Sequence, residues 1–143
     1  MKKLIIFGGS GIGMIAASVA EATNEYQVIG FLNDVIEEGT SIGKYKQFPV
    51  IGETEDYKKY ITDENTYFFI AYVGLEKEKA TFEKIDNFDI PREKFANLIH
   101  PTAIIPDGYC KIGQGVLLAP LCQLSADTTI SDNCILLANS FVG

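Results

Sequence analysis

The sequence predicts an α/β fold in two parts: a parallel sheet with crossover helices, followed by coils built from six-residue repeats. Three observations carry this. Apolar runs of strand length alternate with helical patterns over the first half of the chain. A glycine-rich turn joins the first run to the first helix. After Phe95 an aliphatic residue recurs at every sixth position.

Residues 4–7 (LIIF) form a continuous apolar run, the pattern of a central parallel strand covered on both faces. Residues 8–11 (GGSG) make a tight turn. Residues 12–23 place Ile12, Ile15, Ala16, Val19 and Ala20 at helical spacing. Residues 28–32 (VIGFL) read as a second buried strand, and residues 33–46, rich in Gly, Asp and Glu, as an exposed loop. Residues 48–52 are a short extended piece. Residues 53–56 (ETED) open a short helix reaching Tyr60, with Thr54 as a possible N-cap and acidic residues at the positive end. Residues 67–73 give a third strand and residues 76–85 a charged amphipathic helix. This alternation predicts right-handed crossovers within one parallel sheet.

Counting in sixes from Ile112 gives Leu118, Leu124, Ile130, Leu136 and Val142. Two residues earlier lies a register of small or medium residues: Cys110, Val116, Cys122, Thr128, Cys134 and Ser140. The residue after each aliphatic is mostly small: Gly113, Ala119, Ser125, Ser131, Leu137 and Gly143. A period of six fits neither helix nor simple strand. It predicts a left-handed parallel β-helix in which six residues form one flat face and three faces close a coil. The aliphatic fills the interior, and the small residue is expected to permit the corner. The predicted division is residues 1–97 for the sheet domain and 98–143 for the coils.

The chain has 143 residues and a net charge of -7, with 47% hydrophobic and 22% charged residues. That is the composition of a soluble globular protein. No basic cluster exists to neutralise a phosphate backbone, which argues against a nucleic-acid partner. No apolar run reaches the roughly 18 residues of a membrane span. The apolar run after Met1-Lys2-Lys3 is too short for a signal peptide, so the expected location is cytoplasmic. The three cysteines, spaced by twelve, fall on three different faces of an 18-residue coil. They are expected to be free core residues and not metal ligands.

Gly8, Gly9, Ser10, Gly11 and Gly13 lie between a strand and a helix, where backbone N–H groups and the helix dipole favour a ligand phosphate. The dinucleotide fingerprint is imperfect, because Ser10 stands at its middle position. Asn33 and Asp34 follow the second strand about twenty residues later, where Rossmann-like folds place an acid on a ribose or base. Gly74, after the third strand, is expected at the floor of the same crevice. His100, the single histidine, precedes proline at the domain junction and reads as structural.

The order of LIIFGGSGIG, VIGFLND, FPVIGETEDY and NLIHPTAII resembles the sugar O- and N-acetyltransferases of the NeuD/PglD type. The resemblance covers essentially the whole chain. It implies a Rossmann-like amino-terminal domain that binds a nucleotide sugar, and a β-helix that trimerises and takes acetyl-CoA between subunits. Gly8, Gly11 and Gly13 carry over as the glycine loop, and Asn33 and Asp34 as the nucleotide-contacting pair. Ile12 departs from the family, which often has histidine there. The family's general-base histidine aligns immediately after Gly143. The expectation is therefore a chain without a catalytic residue of its own, inactive alone, whose intact protein acetylates an amine or hydroxyl of a nucleotide sugar. Two other readings stay open: a non-catalytic sugar-nucleotide sensor, and an NAD-binding protein using the glycine loop and Asp34.

Overall fold

The computed structural model describes residues 1–73 and 76–143. Strand β1 (Lys2–Phe7) leads through helix α1 (Ile12–Ala22) to β2 (Tyr26–Leu32). A short hairpin strand β3 (Ser41–Ile42) precedes β4 (Phe48–Gly52) and a 3-10 helix at Thr54–Lys59. Then come β5 (Thr66–Ile70), a 3-10 turn at Glu76–Glu78 and helix α2 (Lys79–Asp86). The sheet order is β3-β4-β2-β1-β5, with β1, β2, β4 and β5 parallel and only β3 antiparallel.

Strand β1 shows why its sequence is apolar without alternation. Leu4, Ile5, Ile6 and Phe7 are all fully buried. Leu4 and Ile6 pack with Ala16, Ala17 and Ala20 of α1. Ile5 and Phe7 face the other way, into Tyr57 of the 3-10 helix and Ile85 of α2. Both faces of the sheet are covered, so neither residue parity can be polar. Burial of each such side chain contributes about 1.5–3 kcal/mol.

The short helix after β4 differs from expectation at its cap. Glu53 is the N-cap residue, and its N–H donates to the Asp56 carboxylate over 2.9 Å. Thr54 lies inside the helix and is fully buried. Its hydroxyl is drawn to a tertiary partner, described below, and so is not available to cap.

Beyond residue 97 the chain folds into two-residue strands: β6 (Leu98–Ile99), β7 (Lys111–Ile112), β8 (Leu117–Leu118), β9 (Gln123–Leu124), β10 (Thr129–Ile130), β11 (Ile135–Leu136) and β12 (Phe141–Val142). They stack in three parallel ladders, β6-β8-β11, β7-β10 and β9-β12. Lys111 pairs with Thr129, Leu117 with Ile135 and Gln123 with Phe141, each 18 positions on. The first coil is one residue longer, since Leu98 pairs with Leu117 and Ile104 with Gln123. The extra residue falls between Ile104 and Lys111, which includes Gly108 at φ 79°.

The aliphatic register points inward as expected: Ile112, Leu118, Leu124, Ile130, Leu136 and Val142 share one apolar cluster with Cys110, Cys122 and Cys134. The cysteines are free thiols, and no metal-binding cluster occurs among the described residues. The corners correct the expectation. The left-handed backbone recurs every six residues at Gly115, Leu121, Asp127, Asn133 and Asn139, three positions after the aliphatic. Gly, Asn and Asp tolerate this conformation, which explains four of the five. The small residue just after the aliphatic serves another purpose. A Cβ on Gly113 would meet the Asp132 backbone nitrogen at 2.7 Å, so its smallness lets adjacent coils approach.

The first residue of each two-residue strand points outward. On one face these are Leu98, Leu117 and Ile135, which pack into the core formed by α1 and the sheet. Leu98 and Leu117 are fully buried there. Side-chain bonds reinforce the joint. The Asn97 amide donates to Gly113 O (2.7 Å) and its oxygen accepts from Val116 N (2.9 Å). Gln114 donates to Phe95 O (3.0 Å). Arg92 grips Asp132 through two bonds of 2.8 Å.

Candidate functional site

The sheet order reverses direction at β1: the chain moves from β1 to β2 on one side, then returns to place β5 on the other. Ligands of open parallel sheets bind outside the carboxyl ends of strands at such a point. The loop after β1 sits there. Gly8 is buried and donates its N–H to Leu32 O (3.2 Å). A Cβ on Gly8 would meet the Cβ of Ala71 at 3.0 Å, so glycine allows the ends of β1 and β5 to close together. Ser10 and Gly11 are exposed at the crest.

Gly11 caps α1 with φ 76°, no side chain caps the helix, and its first turn carries no acidic residue. Gly13 lies in the first turn against the Phe31 ring. The α1 N-terminus thus keeps unsatisfied donors and partial positive charge at the carboxyl end of β1.

Asn33 and Asp34 lie at the end of β2, as expected, but their side chains are engaged. Asn33 is buried. Its amide donates to Gly8 O (3.0 Å), and its oxygen accepts from Val35 N and Ile36 N, both at 2.8 Å. It ties the glycine loop to the following loop, whose Ile36 packs beside Gly9. Asp34 reaches across to the 3-10 helix. Its Oδ1 accepts from Thr54 N (2.8 Å) and the Thr54 hydroxyl (2.9 Å), and its Oδ2 accepts from Lys84 Nζ of α2 (3.1 Å). Burial alone would raise the Asp34 carboxyl pKa. The Thr54 and Lys84 bonds together outweigh it and hold the pKa below its ordinary value.

A cleft of about 640 Å³ opens beside this pair, lined by Asn33, Asp34, Ile36, Gly52, Glu53 and Asp56, with Glu37 and Glu38 on its rim. Tyr72, following Ala71, approaches from the β5 side. Burial first, then the Asp34 and Glu78 charges, push its hydroxyl pKa up to about 12, so it stays a protonated donor. Gly74, expected at the crevice floor, lies outside the described residues.

Sequence reasoning brought the glycine loop, Asn33 and Asp34 to one edge. It missed Thr54 and Lys84, which reach the site through tertiary contacts that no local pattern announces. His100 stands apart. Its Nδ1 accepts from Thr102 N (3.1 Å) and bonds the Thr102 hydroxyl (2.8 Å), which in turn accepts from Leu121 N (3.0 Å). It braces a coil corner.

A model of the PglD N-terminal domain matches residues 3–84, more than half the chain. No curated protein sequence matches the chain. Among solved structures, the acetyltransferase domain of PglB from Neisseria gonorrhoeae FA1090 aligns at TM-score 0.72 and 24% identity, over 99% of this chain and 67% of that one. The same domain in complex with acetyl coenzyme A aligns at TM-score 0.70 and 24% identity, over 98% and 66%. A mutant of perosamine N-acetyltransferase from Caulobacter crescentus, in complex with CoA and GDP-perosamine, aligns at TM-score 0.77 and 20% identity, over 99% and 63%. The chain spans about two thirds of the length of these structures. At such identities the likeness is one of fold. No described helix is long and apolar enough to cross a membrane.

Proposed function

The chain belongs to the PglD N-terminal domain family, and on that premise we propose that it is the substrate-binding part of a sugar acetyltransferase. The intact protein transfers the acetyl group of acetyl-CoA to an amine or hydroxyl of a nucleotide sugar. Residues 1–97 form the Rossmann-like sugar-nucleotide domain, and residues 98–143 begin a left-handed parallel β-helix. The observation that carries this is the uncapped α1 N-terminus at the switch point of the sheet. It offers N–H donors to a diphosphate where the strand order reverses. Solved structures of the same fold include one holding GDP-perosamine and CoA and another holding acetyl coenzyme A, in line with both substrates.

In the proposed site Gly8, Gly9, Ser10, Gly11 and Gly13 shape the phosphate cradle, and Asn33 fixes the loop that closes on it. Asp34 presents its carboxylate to the nucleoside. In the reaction the acceptor nitrogen or oxygen bonds the thioester carbonyl carbon, the carbon–sulfur bond breaks, and CoA leaves as the thiol. A general base removes the acceptor's proton, a role worth roughly 10²–10⁴-fold. His100 Nδ1 is engaged by Thr102, and no described residue is assigned as that base. An NAD-binding protein is not favoured, because Ser10 stands at the middle glycine position of the dinucleotide fingerprint.

A homotrimer built through the coils belongs to the same proposal. Ile104, Gln123 and Phe141 stack outward on one ladder. Residues 101–106, 119–126 and 137–143 carry no charge in a chain of net charge -7. Copies of an acidic protein approach most readily where neither carries charge. A cytoplasmic setting fits a chain whose substrates are nucleotide-activated.

Isothermal titration with a uridine- or guanosine-diphosphate amino sugar, with NAD in parallel, tests the reading. Binding of a sugar nucleotide that is weakened by Asp34→Ala supports it. Binding of NAD alone overturns it.

A further inference from the structure

The crevice poses an electrostatic difficulty for the ligand proposed above. Asp34, Glu37, Glu38, Glu53 and Asp56 all line the cleft beside the glycine loop. A diphosphate brought to the α1 N-terminus meets that negative rim, and the helix dipole supplies only about half a positive charge. Asp56 is countered locally by Lys59, three residues on in the same 3-10 helix.

Lys84 is of another kind. It comes from α2, fifty residues from Asp34 in sequence, and is delivered there by tertiary structure. Ile85, its neighbour, is fully buried under β1 and anchors the helix. Nζ then extends to the carboxyl edge of the sheet and rests on Asp34 Oδ2 at 3.1 Å.

That bond is the longest and most exposed of those Asp34 accepts. The Thr54 N–H and hydroxyl hold the carboxylate at 2.8–2.9 Å from a fully buried residue. The Lys84 side chain is 42% exposed. Exposed ion pairs of this kind contribute little to stability, so moving the ammonium off Asp34 costs little. A lysine is a compact point charge on a flexible stem, suited to phosphate.

We propose that Lys84 is a transferable cation. In the free protein it rests on Asp34, and on binding a nucleoside diphosphate it swings onto the ligand's phosphate. Asp34 stays held by Thr54, whose hydroxyl lies 2.9 Å from both carboxylate oxygens, and the place that Lys84 leaves on Oδ2 can then accept from a ligand hydroxyl or N–H. One movement thus supplies positive charge to the phosphate and an acceptor to the nucleoside. The inference rests on the nucleotide-sugar reading of the site.

The test compares a diphosphate with its nucleoside, GDP with guanosine and UDP with uridine, by titration of the full chain. Lys84→Met should weaken the diphosphate by roughly tenfold or more, the worth of one hydrogen bond to a charged group. Nucleoside affinity should stay within about twofold, and Lys84→Arg should retain most diphosphate affinity. An equal loss for diphosphate and nucleoside, or no loss for either, overturns the transfer. Wild-type binding of neither overturns the nucleotide reading itself and the inference with it. A ligand-bound structure gives a second readout that needs no variant: Lys84 Nζ still on Asp34 beside a bound diphosphate would also overturn the proposal.

Discussion

The Asp34 carboxylate and Thr54 form a closed pair: Oδ1 accepts both the Thr54 N–H and the Thr54 hydroxyl, at 2.8 and 2.9 Å. The pair binds the end of β2 to the 3-10 helix after β4, so crevice geometry depends on a residue that touches no solvent. Thr54→Val keeps the shape and deletes the hydroxyl. It should lower unfolding free energy in urea by about 1–2 kcal/mol, while Thr54→Ser should lose less. Equal stability of all three would show that the backbone N–H alone holds Asp34.

Leu121 is the odd residue among the coil corners. It takes φ 64°, against 60° at Asn133 and 64° at Asn139 in equivalent positions, yet it has a branched side chain and is 53% exposed. A left-handed conformation costs such a residue about 1–2 kcal/mol. Leu121→Asn should stabilise the protein by up to about 1 kcal/mol in chemical denaturation. A loss of stability would mean that the leucine packs in a way that offsets its backbone strain.

Two exposed carboxyls should make a modest contribution to acid unfolding. Arg92 first, then the Gln114 N–H, hold Asp132 down to about 2, and the Asn65 N–H, Lys3 and Thr66 do the same for Asp63. Both pKa values are depressed on folding. Their stabilisation is therefore complete above the ordinary value of 3.8 and is lost as pH falls towards about 2. Thermal midpoints measured from pH 5 to 2 should fall less steeply for Asp132→Asn than for wild type. Parallel curves would remove the Arg92–Asp132 pair from the account of acid stability.

Self-association should report on the uncharged ladder. Wild type is expected to sediment above its 15.7 kDa monomer mass, and Phe141→Glu, which places a charge in the strip, to return to it. A monomeric wild type would discard that ladder as a contact surface.

Much of the architecture was legible because burial imposes periodicity. The unbroken apolar run in β1 reported a strand covered twice. The sixfold aliphatic register reported the coil interior, and the outward Leu117 and Ile135 follow the 18-residue repeat, while the longer first coil sets Leu98 19 residues before Leu117. The corner escaped because its conformational demand falls on residues of mixed type, three places beyond the conspicuous small ones. In the site, Gly8 to Gly13, Asn33 and Asp34 stood out by position along a strand–turn–helix pattern. Thr54 and Lys84 did not, since their partner lies 20 and 50 residues away and nothing local distinguishes a structural threonine or a helix-surface lysine.

The outward leucines of the first coils also decide how the molecule handles length changes. With Leu98 and Leu117 sunk into the core beneath α1, the joint behaves as a weld. An insertion between Phe95 and Asn97 would pull apart a packed seam, whereas residues added between Gly39 and Tyr45 would simply lengthen a surface loop. The crevice therefore keeps one fixed bearing relative to the coil axis. On the proposed reading, a ligand held in the crevice would meet the coils along that bearing, by alignment and not by domain closure.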